Sequence, residues 1–195
     1  MSDLSTWTLN ALVTYGVPIL LIMSYGGSLG IPFPVSLAVM AAGAFARQGV
    51  IDWRLAFLAC TAGAVLADSS EFALGRRAAG WLERRFGQRK FWQTGQATFA
   101  RQGGWAIFLT RFWLIPLAPV VNLIAGDRFS YPRFFLFDFS GQFMWVLING
   151  GLGYLFADEW PLIRDVISDF TGLSIGIIAL AVGIYIFVRW RRNKK

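Results

Sequence analysis

Apolar residues in this chain come in six long blocks, and most blocks carry a proline, a glycine or a charge that an unbroken membrane helix would exclude. They are Leu9–Met23, Ile31–Ala46, Leu55–Gly75, Trp105–Ala125, Phe134–Phe156 and Gly172–Trp190. A simple crossing takes about 20 apolar residues. Leu55–Gly75, Phe134–Phe156 and Gly172–Trp190 meet that length, and Leu9–Met23 is short but serviceable. Ile31–Ala46 opens Ile-Pro-Phe-Pro and is broken by Gly43, while Trp105–Ala125 is interrupted by Arg111, Pro116, Pro119 and Asn122. Broken backbone at membrane depth survives only where protein or a water-filled cavity satisfies its polar groups. These two blocks read as re-entrant helical hairpins and the other four as spans. The expected fold is an all-α integral membrane protein with about four transmembrane helices.

Charge placement sets the expected topology. Charged residues make up 15% of the chain, against about 25% in soluble domains. Seven basic residues lie between Arg76 and Arg101, and five more between Arg189 and Lys195. Both groups flank apolar blocks, as the positive-inside rule requires of cytoplasmic segments. The loop bearing Asp158, Glu159, Arg164, Asp165 and Asp169 is net acidic and is expected outside. Both termini then face the cytoplasm, and Trp105–Ala125 must return to the side from which it starts. Asp3 is the only charge in the first 25 residues, so the N-terminus reads as retained rather than as a cleaved signal peptide. The net charge of +7 sits at membrane flanks, where it meets anionic headgroups and not nucleic acid.

The chain divides into an N-terminal membrane helix (1–30), a core (31–157) and an outer loop, last span and tail (158–195). The core consists of one unit at 31–80, a basic interfacial segment at 81–104 and a second unit at 105–157. The two units resemble each other. Ala42-Gly43 ends the first hairpin and Ala125-Gly126 the second, and an arginine follows each, Arg54 and Arg133. Phe57 to Gly63 then parallels Phe135 to Gly141, with further glycines at Gly75 and Gly153. An odd number of crossings between the units makes them antiparallel, the inverted repeat of transporters that bind near the midplane.

Histidine is absent and Cys60 is the single cysteine. Histidine-based catalysis, thiol-based metal sites and intramolecular disulfides are thereby excluded. No cofactor or metal site is legible, no nucleophile has a base, and an enzyme is not expected. Charge buried in the blocks carries the chemistry instead, because each such group costs about 2.5–3.5 kcal/mol at the centre of a lone helix. Asp68 and Glu71 share a helical face. Arg111 lies deep between Ile107-Phe108-Leu109-Thr110 and Phe112-Trp113-Leu114-Ile115, and Asn122, Gln142 and Asn149 are further polar intrusions. Pairing of Arg111 with Asp68 or Glu71 in a wet cavity is the expected solution. A guanidinium there can grip a phosphate headgroup, and a carboxylate can exchange a proton with it.

The order of these elements resembles the DedA family, the bacterial branch of the SNARE-associated (VTT) membrane proteins. The likeness covers roughly Ile31 to Phe156 and rests on Pro34 through Ala42-Gly43, Gly63-Ala64-x-x-Ala67-Asp68 and Phe72-x-x-Gly75-Arg76-x-x-x-Gly80. It continues through Arg111-Phe112, Ala125-Gly126, Pro132-x-x-Phe135 and Gly141-x-x-x-Trp145. The resemblance implies two facing re-entrant hairpins in a bacterial inner-membrane protein. It also implies lipid translocation, of undecaprenyl phosphate or a phospholipid, with proton linkage. It assigns functional roles to Asp68 and Arg111. Two departures stand out. Pro34-Val35-Ser36 occupies the first hairpin tip where the family often has Pro-Gly-Glu, so that glutamate is missing and a substitution by Glu71 is left open. The second tip, Leu114 to Asn122, lacks a second arginine.

The leading expectation is thus a flippase or scramblase whose partners are membrane lipids and protons. Asp68, Glu71, Arg111 and Asn122 would line the headgroup path, with Pro32, Pro34, Ser36, Pro116 and Pro119 at the hairpin tips. A proton- or ion-coupled carrier of a small solute and a non-transporting assembly factor are the alternatives. Gly172-x-x-x-Gly176 offers small residues for a homo-oligomer contact.

Overall fold

A computed structural model describes residues 15–31 and 33–159. The final span expected at Gly172–Trp190, the basic tail, Pro32 and the start of the first block lie outside the described residues. All regular structure described is helical. The helices are α1 (Val17–Ser28), α2 (Val35–Arg47), α3 (Trp53–Phe86), α4 (Lys90–Gln102), α5 (Gly104–Leu109), α6 (Ala118–Arg128) and α7 (Tyr131–Leu155). Short 3-10 turns cover Ile115–Leu117 and Ala157–Glu159.

Local chemistry places the boundaries. Asp52 caps α3 by accepting from the backbone N–H of Arg54 at 2.8 Å and of Leu55 at 3.4 Å. Proline opens α1, α6 and α7, where its missing N–H has no helical partner to lose. Gly103, at a φ of 57°, lets the chain turn sharply between α4 and α5. The first broken block differs from expectation. Residues 35–47 form one uninterrupted helix, and the turn precedes it at residues 29–34, so that α1 and α2 are the two limbs. Gly26-Gly27 reads as a stop signal, but both glycines stay helical. A Cβ on Gly26 would meet the Phe33 ring and one on Gly27 the Val35 side chain, so the pair makes room for the returning limb.

α3 has 34 residues, about 50 Å at 1.5 Å per residue. Its helical backbone breaks at Ala78, where φ is −115° and ψ is 15°. The turns beyond carry Arg84 and Arg85 and join α4 through Glu83, which accepts from Trp92 Nε1 at 2.7 Å and Gln96 Nε2 at 2.9 Å. The segment expected at the interface is therefore a helical pair around a short turn. Among the described residues α3 alone is both long and apolar enough to cross a membrane by length and composition. α7 has 25 residues but carries Arg133, Asp138, Gln142 and Asn149. Leu58, Leu66 and Leu74 on α3 and Leu136, Leu147 and Leu155 on α7 are exposed, and an outward apolar surface of this extent marks a contact with lipid or protein.

α3 is central, with α1 and α6 packed along it and α7 beside it; α2 and α5 pack on α7, and α4 lies over α6. Glycines bring two of these pairs into backbone contact. On α2 and α7, a Cβ at Gly43 would run into the Gly150 carbonyl and one at Gly153 into the Met40 carbonyl. On α3 and α6, a Cβ at Gly75 would strike the Leu123 backbone and one at Gly126 the Phe72 carbonyl. Small residues allow this close approach between membrane helices. Arg47 closes the first pair by donating to the Tyr154 and Leu155 carbonyls and pairing with Asp158 at 2.9 Å. Arg76 closes the second, donating to the Phe129 carbonyl at 2.6 Å and the Gly126 carbonyl at 3.3 Å.

Two apolar clusters result. One, around Leu20, Met23, Val39, Cys60 and Val146, joins α1, α2, the start of α3 and the end of α7. The other, around Phe72, Trp92, Phe99, Ile107, Val121 and Phe134, joins the far half of α3 to α4, α5, α6 and the start of α7.

Candidate functional site

The polar residues of the apolar blocks converge where α3, α6 and α7 meet. Asp68 and Glu71 come from α3, and Asn122 from α6. Gln142 comes from α7, and Arg111 from the turn that ends α5. Helical spacing puts Asp68 and Glu71 on one face, and the same rule puts a further carboxylate, Asp138, one turn from Gln142. Gly141 gives the arginine its route, since a Cβ there would lie 2.9 Å from Arg111 Cγ.

Hydrogen bonds close these side chains into a ring. Arg111 Nη2 donates to Asp138 Oδ1 at 2.6 Å and to Asn122 Oδ1 at 3.1 Å, and it lies 3.3 Å from Asp68 Oδ2. Asn122 Nδ2 donates to Asp68 Oδ1 at 2.9 Å and to Glu71 Oε2 at 2.8 Å. Gln142 Nε2 donates to Asp68 Oδ2 at 2.6 Å. Asp68, Asn122 and Asp138 are fully buried, while Glu71 retains 7% exposure and Arg111 6%, so the ring meets its surroundings on the glutamate and arginine side.

Two atoms of the ring lack partners, Arg111 Nε and Asp138 Oδ2. Buried polar atoms are nearly always paired, so these two atoms are exceptions within the ring. The charges are also unequal: three carboxylates face one guanidinium. The carboxylates do not group into a metal-holding set among the described residues.

Asp68, Glu71, Arg111 and Asn122, singled out in the sequence, therefore come together. The hairpin-tip residues do not join them: Pro34 is buried at the start of α2, while Ser36 and Pro116 are exposed and Pro119 opens α6. Asn149 donates to its own helix at the Trp145 carbonyl. Two features differ from expectation. The nearest carboxylate to Arg111 is that of Asp138, with Asp68 second and Glu71 reached only through Asn122. The ring is packed rather than set in a wet cavity. Asp138 was detectable by the test that exposes Asp68, a carboxylate in an apolar helix, but it sits within an aromatic run whose regularity draws attention to the repeat instead.

The open space lies elsewhere. A cavity of about 630 Å³ is bounded by α2, the first turns of α3 and the last turns of α7, with Val39, Ala42, Ala56, Cys60, Val146 and Gly150 among its walls. It is almost wholly apolar. About two turns along α3, from Cys60 to Asp68, and about one along α7, from Val146 to Gln142, lead from cavity to ring.

Comparison with known proteins places this architecture. The model of the VTT domain matches residues 32–155. An uncharacterized membrane protein of Synechocystis sp. is 29% identical over 171 residues, covering 80% of this chain and 75% of the relative. A second, from Mycobacterium leprae, is 28% identical over 172 residues, covering 83% of this chain and 74% of the relative. No solved structure matches. With the VTT model spanning most of the chain and both relatives membrane proteins, this chain belongs to the VTT-domain, or DedA, family of membrane proteins.

Proposed function

We propose that the protein is a lipid flippase or scramblase of the bacterial inner membrane, moving undecaprenyl phosphate or a phospholipid. The observation that carries this reading is the ring itself: a buried guanidinium with a spare donor, held among carboxylates next to an apolar cavity. The headgroup passes the ring, with its phosphate taken by Arg111, while a hydrocarbon chain rests in the cavity, whose volume suits a small-molecule ligand. The carboxylates of Asp68 and Glu71 give a proton gradient a place to act.

The same reading gives the fold a membrane orientation. α1, α2, α5 and α6 have 12, 13, 6 and 11 residues, and the longest reaches about 20 Å against a hydrocarbon core of about 30 Å. Each pair, α1–α2 and α5–α6, is thus a re-entrant hairpin, while α3 and α7 cross. The glycine contacts support an inverted repeat, because Gly43 meets α7 at Gly150 and Tyr154 while its counterpart Gly126 meets α3 at Phe72 and Gly75. The second limb of each hairpin, α2 or α6, packs on the long helix of the opposite unit, while the first limbs α1 and α5 pack on α3 and α7.

Purified protein in liposomes tests the function. Transbilayer movement of a fluorescent phospholipid and of a polyprenyl phosphate is measured for the parent, Asp68→Asn and Arg111→Gln, with and without a pH gradient. Movement that falls in both variants is expected. If folded parent protein moves neither lipid, the transport reading fails, and a small-solute carrier or an assembly factor takes its place.

A further inference from the structure

We propose that the outer face of the helical pair formed by the last turns of α3 and by α4 is a docking surface for anionic phospholipid, which seats the pair on a membrane leaflet. The surface lies apart from the ring, and the inference stands whether or not the protein moves lipid. From Arg77 to Arg101 the chain carries six cationic residues and a single acid, Glu83. All six cationic residues are exposed, and the ion pairs among the described residues involve only Arg47 and Arg111. Glu83 does not balance them, because its carboxylate is taken by Trp92 and Gln96. Four of the six, Arg84, Arg85, Arg89 and Lys90, crowd around the turn that joins the two helices. A cation held at a headgroup surface raises affinity for an anionic leaflet about fivefold.

The fold holds this face outward. Leu82, Trp92 and Phe99 are buried on the inner side, and a Cβ on Gly95 would meet Val120 and Ile124 of α6. The pair is thus keyed to the body and cannot turn its charges inward. Beside the cations runs a row of aromatic rings that joins the two helices. Phe86 lies 6.0 Å from Trp81 and 5.9 Å from Phe91 between ring centroids, and Trp81 and Phe91 are 56% and 46% exposed. Exposed aromatic rings among arginines suit the boundary between headgroups and acyl chains. The occupant follows from what adjoins the face. Leu74, exposed about two turns before Trp81, belongs to the apolar surface of the one described helix long and apolar enough to cross a membrane. That surface passes into the aromatic row and then into the cations, which is the order of layers in a leaflet. A soluble acidic protein would meet the charges and leave the rings in water.

The test exchanges the full chain into detergent micelles holding phosphatidylglycerol and phosphatidylcholine in equal amounts, and measures by mass spectrometry which lipid stays bound. The parent is expected to hold phosphatidylglycerol over phosphatidylcholine by at least about tenfold, and high salt to weaken that preference. In R84Q/R85Q/R89Q/K90Q every substitution is at an exposed residue. This variant is expected to unfold at the parental temperature and to bring the ratio below about threefold. R84K/R85K/R89K keeps the charge and is expected to keep the parental ratio. A parent without preference overturns the inference and makes the six cations ordinary solvated charge. A parental ratio in the glutamine variant overturns it too, by placing the anionic lipid elsewhere. So does a lost preference in the lysine variant, by replacing charge with side-chain shape. Polyglutamate is added in parallel at matched charge; if it displaces phosphatidylglycerol from the parent, the partner is a soluble acidic protein and the inference fails. The transport reading stands in every case.

Discussion

The ring and the cavity are built by the same two helices a few turns apart, and they solve opposite problems. At Asp68 and Asp138 the long helices present charge, and side chains from two other segments, Asn122 of α6 and Arg111 after α5, cross-link it. At Cys60 and Val146 they present apolar surface, and a void of about 630 Å³ is left standing. Ionised groups in a low-dielectric interior are tolerable only when their partners are in place, so the ring cannot loosen without cost. An apolar void loses only packing contacts. The molecule thus keeps its empty space where no charge depends on it, which separates the region that must be rigid from the region with room to spare.

Removing the guanidinium breaks the comparison most severely. Arg111→Leu leaves three buried carboxylates without their cation, and loss of one partner of a buried pair costs about 3–5 kcal/mol. Thermal unfolding of the detergent-solubilised protein should show the variant well below the parent, or no folded protein at all. A variant as stable as the parent would mean that the ring holds together by its amides alone. The next largest effect lies at the backbone contact between α2 and α7. Gly153→Ala replaces a poor helix former with the best one, a gain of about 1 kcal/mol where space allows. Here the added methyl meets the Met40 carbonyl, and the expected result is a net loss of about 1–3 kcal/mol through overpacking, read by the same unfolding assay.

How much of this was legible beforehand follows from which interactions are local. Arg111, Asp68, Glu71 and Asn122 stand out because charge in an apolar block is anomalous in sequence, whatever the tertiary contacts. Asp138 obeys the same logic but lies among Phe135, Phe137 and Phe139, and its role depends on Gly141 admitting Arg111, which no local pattern reveals. The turn between α1 and α2 is hidden from local pattern for a similar reason. Gly26-Gly27 has the composition of a helix stop, yet the packing of Phe33 and Val35 against it keeps the helix going to Ser28. The glycines of the apolar blocks stand out in sequence, but that Gly43 meets α7 and Gly126 meets α3 is a property of the fold. An apolar cavity leaves no mark in sequence at all, since its walls read as ordinary core.

The smallest effect on stability should come from filling that cavity, and it separates the two regions most cleanly. Gly151 lies two residues from Gly153 on the same helix, yet a Cβ there meets nothing within 4 Å, and the residue lines the cavity. Gly151→Leu projects four carbons into empty apolar space and improves helix propensity, so stability should be unchanged or rise by up to about 1 kcal/mol. Unfolding measured beside Gly153→Ala checks this, with two substitutions a half-turn apart moving in opposite directions. Lipid movement in proteoliposomes should nevertheless fall in Gly151→Leu, because the leucine takes the place of the hydrocarbon chain while the ring is untouched. A variant with full stability and full transport would confine the lipid path to the ring and assign the cavity no part in it. Lost stability would instead show that the cavity walls, like the ring, tolerate no addition.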